Sequence, residues 1–158
     1  MVRISPDIAG AHFNLGNAWV SAGRMEEATR QYEEALRINP DFPEAHYRLG
    51  IVLARMGKAQ EAVRHWEQVL RIRPDVAEAH NDLGLALFGQ GKVQEAVHHW
   101  EEAIRLKPDF AEAHNNLAVA LAQMGKTAEA VEHWEKALQI KPDYAEAQAN
   151  LARARGSQ

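Results

Sequence analysis

The stretch from Glu78 to Asp109, "EAHNDLGLALFGQGKVQEAVHHWEEAIRLKPD", is followed by a near copy from Glu112 to Asp143, "EAHNNLAVALAQMGKTAEAVEHWEKALQIKPD". The dipeptide Pro-Asp that closes both stretches recurs with a constant spacing, and its prolines stand at positions 6, 40, 74, 108 and 142. Such a strict period predicts a repeat array, in which each unit leaves an apolar face that its neighbour covers.

The composition restricts the classes of protein and chemistry. The chain has 158 residues, 46% of them hydrophobic, a net charge of -4 and no cysteine. These values are typical of a soluble globular protein, and they argue against nucleic-acid binding, disulfides and thiol chemistry. Without a long apolar run or an apolar signal core at the N-terminus, the sequence predicts no membrane segment and a cytoplasmic location.

Two apolar stripes with helical spacing lie within each unit. The second unit shows them in the residues Ala45, Leu49, Val52, Leu53 and Met56, and then in Ala62, Val63, Trp66, Val69 and Leu70. The spacing predicts an amphipathic helix, here named helix A, a tight turn, and a second amphipathic helix, helix B.

The ends of these helices are also marked. A glycine stands where each helix A must stop, at positions 23, 57, 91 and 125, because a left-handed C-cap favours a residue without a β-carbon. The next helix A is predicted to begin with a capping box, formed by Asp41 with Glu44, Asp75 with Glu78, Asp109 with Glu112, and Asp143 with Glu146.

Residues of matched size recur at the positions where helices would cross. Small residues recur on helix A at Gly16, Gly50, Gly84 and Ala118, and on helix B at Ala28, Ala62, Ala96 and Ala130. Bulky residues recur at Tyr32, Trp66, Trp100 and Trp134, and at Leu15, Leu49, Leu83 and Leu117. We expect these bulky residues to form the core.

This pattern of small residues, an aromatic residue and a closing proline within each period resembles the tetratricopeptide repeat. The resemblance implies an all-α fold, a right-handed α-solenoid of antiparallel helix pairs. The sequence departs from the family by placing histidines at 12, 46, 80 and 114, where an aromatic residue is usual. Its "HFNLG" and "HNNLA" segments are similar to the repeats of protein O-GlcNAc transferase.

The period also predicts the boundaries. Residues 1–8 align with the tail of a preceding helix B, and residues 9–142 hold four repeats, with periodic limits at 9–42, 43–76, 77–110 and 111–144. Residues 143–158 are predicted to form a C-terminal capping helix and tail. Because the sequence opens with the tail of a helix B, we favour the interpretation that it is a segment of a longer repeat array. The alternative is a natural protein with a short N-terminal lead-in.

No residue pattern predicts catalysis. The glutamates lie in capping boxes or on solvated faces, and "GQGK" at 89–92 lacks the spacing of a phosphate-binding loop. Equivalent histidines in successive units should lie about 10 Å apart, too far to share one zinc ion. A composite site between His80 and His99 is the one metal alternative. We predict a non-enzyme without catalytic residues, metal or cofactor.

The resemblance implies that the A helices line a concave groove that binds a peptide or helix. The groove positions carried over from the family are Phe13, Asn17, Val20, Glu44, Tyr47, Arg48, Ile51, Arg55, Glu78, Asn81, Leu85, Phe88, Glu112, Asn115, Val119 and Gln123. The family's carboxylate-clamp pattern matches only at Asn17, since Phe13, Arg48, Glu78 and Asp82 replace its other residues.

The groove positions indicate a protein or peptide partner. Ile51, Leu85 and Val119 form an apolar floor, and the rim of Glu44, Glu78, Glu112 and Glu146 favours a partner with basic flanks. Alternatively, tight winding of the superhelix hides this floor. Two other functions stay open, which are self-assembly as a homo-oligomer and substrate presentation as part of a larger enzyme.

Overall fold

The computed structural model describes residues 6–156, and these residues form helices and the turns between them. They contain nine α-helices: α1 (Pro6–Ser21), α2 (Met25–Ile38), α3 (Pro43–Arg55), α4 (Ala59–Ile72), α5 (Ala77–Gly89), α6 (Val93–Leu106), α7 (Ala111–Gln123), α8 (Thr127–Ile140) and α9 (Ala145–Gly156). The predicted all-α fold is confirmed. Residues 1–5, predicted to belong to the tail of a preceding helix, lie outside the described residues.

Helices pack mainly against their neighbours in the chain. Within each predicted repeat, helix A pairs with helix B, as α1 does with α2, α3 with α4, α5 with α6, and α7 with α8. The B helices α2, α6 and α8 also pack against the A helix that follows them. The helices divide into two compact units, α1–α4 ending at Pro74 and α5–α9 beginning at Asp75.

Each turn from helix A to helix B contains a glycine in the left-handed region. The φ angles of Gly23, Gly57, Gly91 and Gly125 lie between 75° and 79°, as the sequence predicted. At Gly91, the amide donates to the carbonyl of Phe88, and the amide of Lys92 reaches back to Leu87. These bonds satisfy carbonyls that the end of α5 would otherwise leave unpaired.

Two neighbouring glycines in this turn should respond oppositely to alanine. Gly91→Ala should lower the free energy of unfolding by about 1 kcal/mol, because its φ of 78° disfavours a β-carbon. Gly89→Ala should raise it by about 0.5 kcal/mol, because alanine favours the helix that Gly89 ends. Neither new β-carbon would meet an atom within 4 Å, so backbone conformation alone separates the variants in urea denaturation. Equal effects would contradict this explanation.

The predicted aromatic core is confirmed. Tyr32, Trp66, Trp100 and Trp134 are buried, and each lies on the face of helix B that meets helix A. A β-carbon on Gly50 would come within 2.5 Å of Trp66 Nε1, so the absence of a side chain there permits the close crossing. The small residues and the aromatic residues therefore determine each other's positions.

Leu15 is an exception to the predicted core. It is 44% exposed, whereas Leu49, Leu83 and Leu117 are 1–2% exposed. On α3, the face that bears Leu49 is adjacent to the preceding helix α2. Among the described residues no helix precedes α1, so the equivalent face of α1 stays uncovered.

The predicted capping boxes are wrong. Helices α3, α5 and α7 begin one residue later than predicted, with Phe42, Val76 and Phe110 at the N-cap and no side-chain capping bond. The Pro-Asp pair instead occupies the centre of a β-turn, in which the amide of Phe110 donates to the carbonyl of Lys107 over 3.1 Å. Proline favours that central position because its ring fixes φ in the range that the turn requires. At α9 the same turn places Asp143 two residues before the helix begins.

Candidate functional site

A cavity of about 410 Å³ lies among α1, α2 and α3 in the first unit. It is lined by Asn17, Val20, Ser21, Tyr32, Arg48, Ile51, Val52 and Arg55. Five of these residues were predicted groove residues, namely Asn17, Val20, Arg48, Ile51 and Arg55. Tyr32 was predicted only as core, yet it forms the wall of the cavity on the side of helix B.

The polar groups of this cavity are oriented. The Tyr32 hydroxyl donates to Asn17 Oδ1 over 2.8 Å, which leaves the amide NH₂ of Asn17 as a donor. Burial raises the pKa of Tyr32, so the hydroxyl stays protonated and keeps this bond. Arg48 and Arg55 are exposed, and neither forms a hydrogen bond or an ion pair with another described residue. The cavity therefore presents donors and positive charge.

A second cavity, of about 450 Å³, lies among α7, α8 and α9 in the second unit. Its lining consists of Val119, Ala122, Thr127, Trp134, Asn150, Arg153 and Ala154. Val119 and Asn150 follow Asn17 and Arg48, respectively, by three full periods of the repeat. The two cavities therefore occupy the same place in their repeats, although different side chains line them.

Phe88 occupies the corresponding place in the repeat formed by α5 and α6. It follows Val20 by two periods and precedes Ala122 by one. Its ring lies 5.6 Å from that of Trp100, centroid to centroid, where the smaller Val20 and Ala122 leave space. Leu85, one turn earlier on α5, is 54% exposed. The second unit thus presents an exposed apolar residue beside a packed aromatic pair.

Two predicted groove residues are buried instead of facing a ligand. Asn115 has no exposed surface and Asn81 has 8%, because both take part in hydrogen bonds between A helices. Asn116 Nδ2 donates to Asn81 Oδ1 over 3.1 Å, and Asn150 Nδ2 donates to Asn115 Oδ1 over 3.4 Å. These asparagines join successive A helices of the second unit, so the side chains of Asn81 and Asn115 are engaged within the protein.

The predicted acidic rim is largely neutralised. Three of its glutamates form ion pairs with a base at the end of helix B in the same repeat, over 3.1–3.5 Å, in the pairs Glu44–Arg73, Glu78–Lys107 and Glu112–Lys141. Burial opposes ionisation of Glu78, but a backbone hydrogen bond and Lys107 outweigh it and lower the pKa of Glu78. The fourth, Glu146, accepts a hydrogen bond from Asn115. The rim therefore gives little support to a partner with basic flanks.

The remaining predicted groove residues differ in exposure. Phe13 is half-buried, with its ring 5.9 Å from Tyr32 and 5.1 Å from Phe42. Tyr47 is also half-buried, and Gln123 is exposed at the end of α7. Phe13 therefore supports the wall of the first cavity, whereas Gln123 is accessible to a ligand.

Three tetratricopeptide repeat models match the sequence, over residues 16–57, 41–109 and 81–145. Together they extend from residue 16 to residue 145. The chain belongs to the tetratricopeptide repeat family. Proteins of this family are typically non-catalytic scaffolds for protein interaction. The sequence has no significant match among curated proteins.

Solved tetratricopeptide structures share the fold. A crystal structure of MamA protein has a TM-score of 0.88 and 25% identity, over 96% of this chain and 83% of that chain. YrrB, a TPR protein with an unusual peptide-binding site, has a TM-score of 0.80 and 27% identity, over 90% and 73%. Pseudomonas aeruginosa PilF has a TM-score of 0.85 and 25% identity, over 96% and 69%.

Three histidines of helix A each pair with a histidine of helix B. The members on helix A, His46, His80 and His114, stand where the tetratricopeptide family favours a larger aromatic residue. His46 Nδ1 lies 2.9 Å from His65 Nδ1, and the same pairing joins His80 to His99 and His114 to His133 at 3.0 Å. His46 Nε2 must donate to the carbonyl of Pro40, so its Nδ1 accepts from His65. Each pair thus links helices A and B of one repeat through a hydrogen bond between two imidazole rings.

Burial lowers the pKa of the helix B histidine in each pair. Burial, together with a smaller effect of the facing histidine, lowers the pKa of His65 and of His99 to about 4. The pKa of His133 is also lowered by burial. These pairs are internal hydrogen bonds, and residues 6–156 contain no group of three or more histidine, aspartate or glutamate side chains suited to a metal ion.

The helices also lack the character of a membrane span. Every helix among residues 6–156 is too short or too polar to traverse a bilayer.

Proposed function

We propose that this chain is a non-catalytic scaffold that binds a peptide segment of a partner protein on its A helices. The observation that carries the proposal is the recurrence of one partly open cavity, bordered by two A helices and one B helix, in both units. A feature repeated at the same place in the period follows from the repeat itself, and in each unit it offers a partly open space that a peptide side chain can enter.

The proposed contact residues combine apolar and polar groups. In the first unit they are Asn17, Val20, Arg48, Ile51 and Arg55, and in the second Leu85, Phe88, Val119 and Gln123. Among the side chains that the structure describes, Leu85 is the most exposed large apolar one, and Ile51 and Val119 occupy the same repeat position. Apolar contact with these residues would supply most of the binding free energy. YrrB, which carries a peptide-binding site, provides support by likeness.

Selection of binders from a random peptide display library tests the proposal. We expect enriched peptides whose affinity falls at least about tenfold in the variant Ile51→Asp with Leu85→Asp, because a carboxylate would be buried against apolar ligand groups. Met124→Asp is the matched control, since Met124 is an exposed apolar residue at the C-cap of α7, outside both cavities. Fluorescence anisotropy measures affinity, and circular dichroism checks folding. Failure to enrich any peptide, or equal binding by the groove variant, would refute the proposal.

Self-association is the second candidate, favoured by one observation. Ile8 and Leu15, on one face of α1, are 48% and 44% exposed, although the residues equivalent to Leu15 are core in the other repeats. A second copy could cover this face. Sedimentation velocity of the protein without peptide distinguishes the candidates, because a scaffold with free binding sites stays monomeric as its concentration rises.

A further inference from the structure

Arg48, one of the two arginines of the first cavity, lacks the ion-pair partner that its sequence offers. Glu44 precedes Arg48 by four residues, the spacing at which a glutamate and a base pair on a helix surface. Its carboxylate is instead engaged by Arg73 from the end of α4, over 3.1 Å. Arg48 consequently extends to the cavity with its charge uncompensated by any hydrogen bond or ion pair to a described residue.

Arg55, two turns along the same helix, has no acidic residue three or four positions away. It follows Arg48 by seven residues, or about 10 Å of helix, and also lines the cavity without a partner among the described residues. In the same unit Arg24, Arg37 and Arg71 form ion pairs with a nearby carboxylate, whereas Arg30 and Arg64 form none with a described residue and lie outside the cavity. The unpaired charge of α3 is therefore concentrated on the cavity.

The lining of the cavity also includes apolar residues and a further hydrogen-bond donor. Val20 and Ile51 supply the apolar surface, and the free NH₂ group of Asn17 points away from the hydroxyl of Tyr32 that holds its oxygen. A guanidinium group binds a carboxylate with two parallel hydrogen bonds, and an amide NH₂ adds a third donor. The lining thus matches an apolar side chain flanked by carboxylates.

We infer that this cavity binds an acidic segment of the partner, with aspartate or glutamate on both sides of an apolar residue. In a peptide of polyproline II conformation, residues three positions apart lie on the same face about 9 Å apart, close to the separation of about 10 Å between Arg48 and Arg55 along α3. The inference rests on the proposed peptide-binding function. It replaces the basic flanks expected from the glutamate rim, because those glutamates are already paired.

The display selection and a defined peptide panel test this inference. Selected peptides should be enriched in acidic residues around an apolar residue. The panel consists of an acetylated, amidated Glu-Gly-Leu-Glu peptide with glycine-serine ends, its glutamine and lysine analogues, and the glutamine analogue with a free C-terminal carboxylate. We expect the glutamate peptide to bind at least about tenfold more tightly than the amidated analogues, and to weaken as salt is added. Tight binding of the free-acid analogue alone would assign the carboxylate to a chain terminus and overturn the inference.

Arginine variants test whether Arg48 and Arg55 are the residues that bind the carboxylates of the peptide. Arg48→Gln with Arg55→Gln should weaken the glutamate peptide by at least about tenfold and leave the glutamine analogue unchanged. Arg30→Gln is the matched control, since Arg30 is exposed on α2 outside the cavity. If selection yields peptides without acidic enrichment, or if the double variant binds them normally, the inference fails while the proposed function stands. If no peptide is enriched at all, both fail.

Discussion

Replacing Trp100 by alanine should lower the free energy of unfolding by about 3–5 kcal/mol. Trp100 is 1% exposed and is among the largest fully buried side chains. Its indole Nε1 donates to the carbonyl of Asn81 over 3.2 Å, and its ring contacts Phe88. Truncation would leave a cavity between α5 and α6 and would remove the hydrogen bond to that carbonyl. Urea denaturation followed by circular dichroism measures the loss.

Trp19→Ala is the matched control for Trp100→Ala. Trp19 is half-buried on α1, where its ring contacts the guanidinium group of Arg24, 4.9 Å from the ring centroid. Its removal should cost about 1 kcal/mol, since it leaves mainly surface contacts. Similar losses in both variants would show that the burial of Trp100 does not determine the cost of its truncation. Trp100→Phe should be less destabilising than Trp100→Ala, because most of the apolar volume is kept.

The sequence was sufficient to predict the features that one repeat specifies locally. A left-handed glycine and an apolar stripe each depend on residues within one helix or turn, so Gly57 and the α3 stripe of Ala45, Leu49 and Leu53 were assigned correctly. Burial of Trp66 followed because a bulky residue recurring with the period must face a neighbouring helix.

The errors concern polar side chains that have one possible partner nearby in the sequence and another on a distant helix. Asp41 and Glu44 are spaced as a capping box, but Arg71 and Arg73 at the end of α4 bind them instead. Likewise Asn115 occupies a groove position of the family, and only the geometry of successive A helices shows that Asn150 and Glu146 enclose it. Sequence spacing does not distinguish these alternatives, because the competing partner lies almost a full repeat away along the chain.

The sequence analysis considered His80 with His99 only as a metal alternative and did not predict that the histidines form hydrogen-bonded pairs, although the sequence contained their signal. The two histidine series are offset by the same interval in each repeat, at His46 and His65, His80 and His99, and His114 and His133. The ends of the array support the pairing. In the first repeat Gln31 replaces the second histidine and contacts His12 over 2.8 Å, and on α9 Gln148 replaces the first histidine and donates to Pro142. Glutamine thus preserves each hydrogen bond without a titratable ring.

The stability of this protein should fall as the pH is lowered from about 6.5 to about 4. In the folded chain, burial and the facing histidine hold the pKa of His65 and of His99 at about 4. The unfolded chain, with an ordinary histidine pKa near 6.5, binds more protons throughout this window, so acid favours unfolding. The carboxylate of Glu61 faces His65 and only partly opposes the lowering of its pKa. Near His99, the carboxylates of Glu95 and Glu102 oppose the lowering of its pKa, whereas His98 adds to it.

The expected loss is about 1 kcal/mol for each of these two histidines between about pH 7 and pH 5, after allowance for their partial exposure. Urea denaturation at a series of pH values measures it. The matched variant is His65→Gln with His99→Gln and His133→Gln, which copies the native contact of Gln31 with His12 and removes the titrating rings. Its stability should change less than half as much over this window, while the loss below about pH 4.5 caused by protonation of Glu27, Glu78 and Glu102 should persist. If the variant destabilises as steeply as the wild type above pH 4.5, the histidine pairs are not the source of the acid sensitivity.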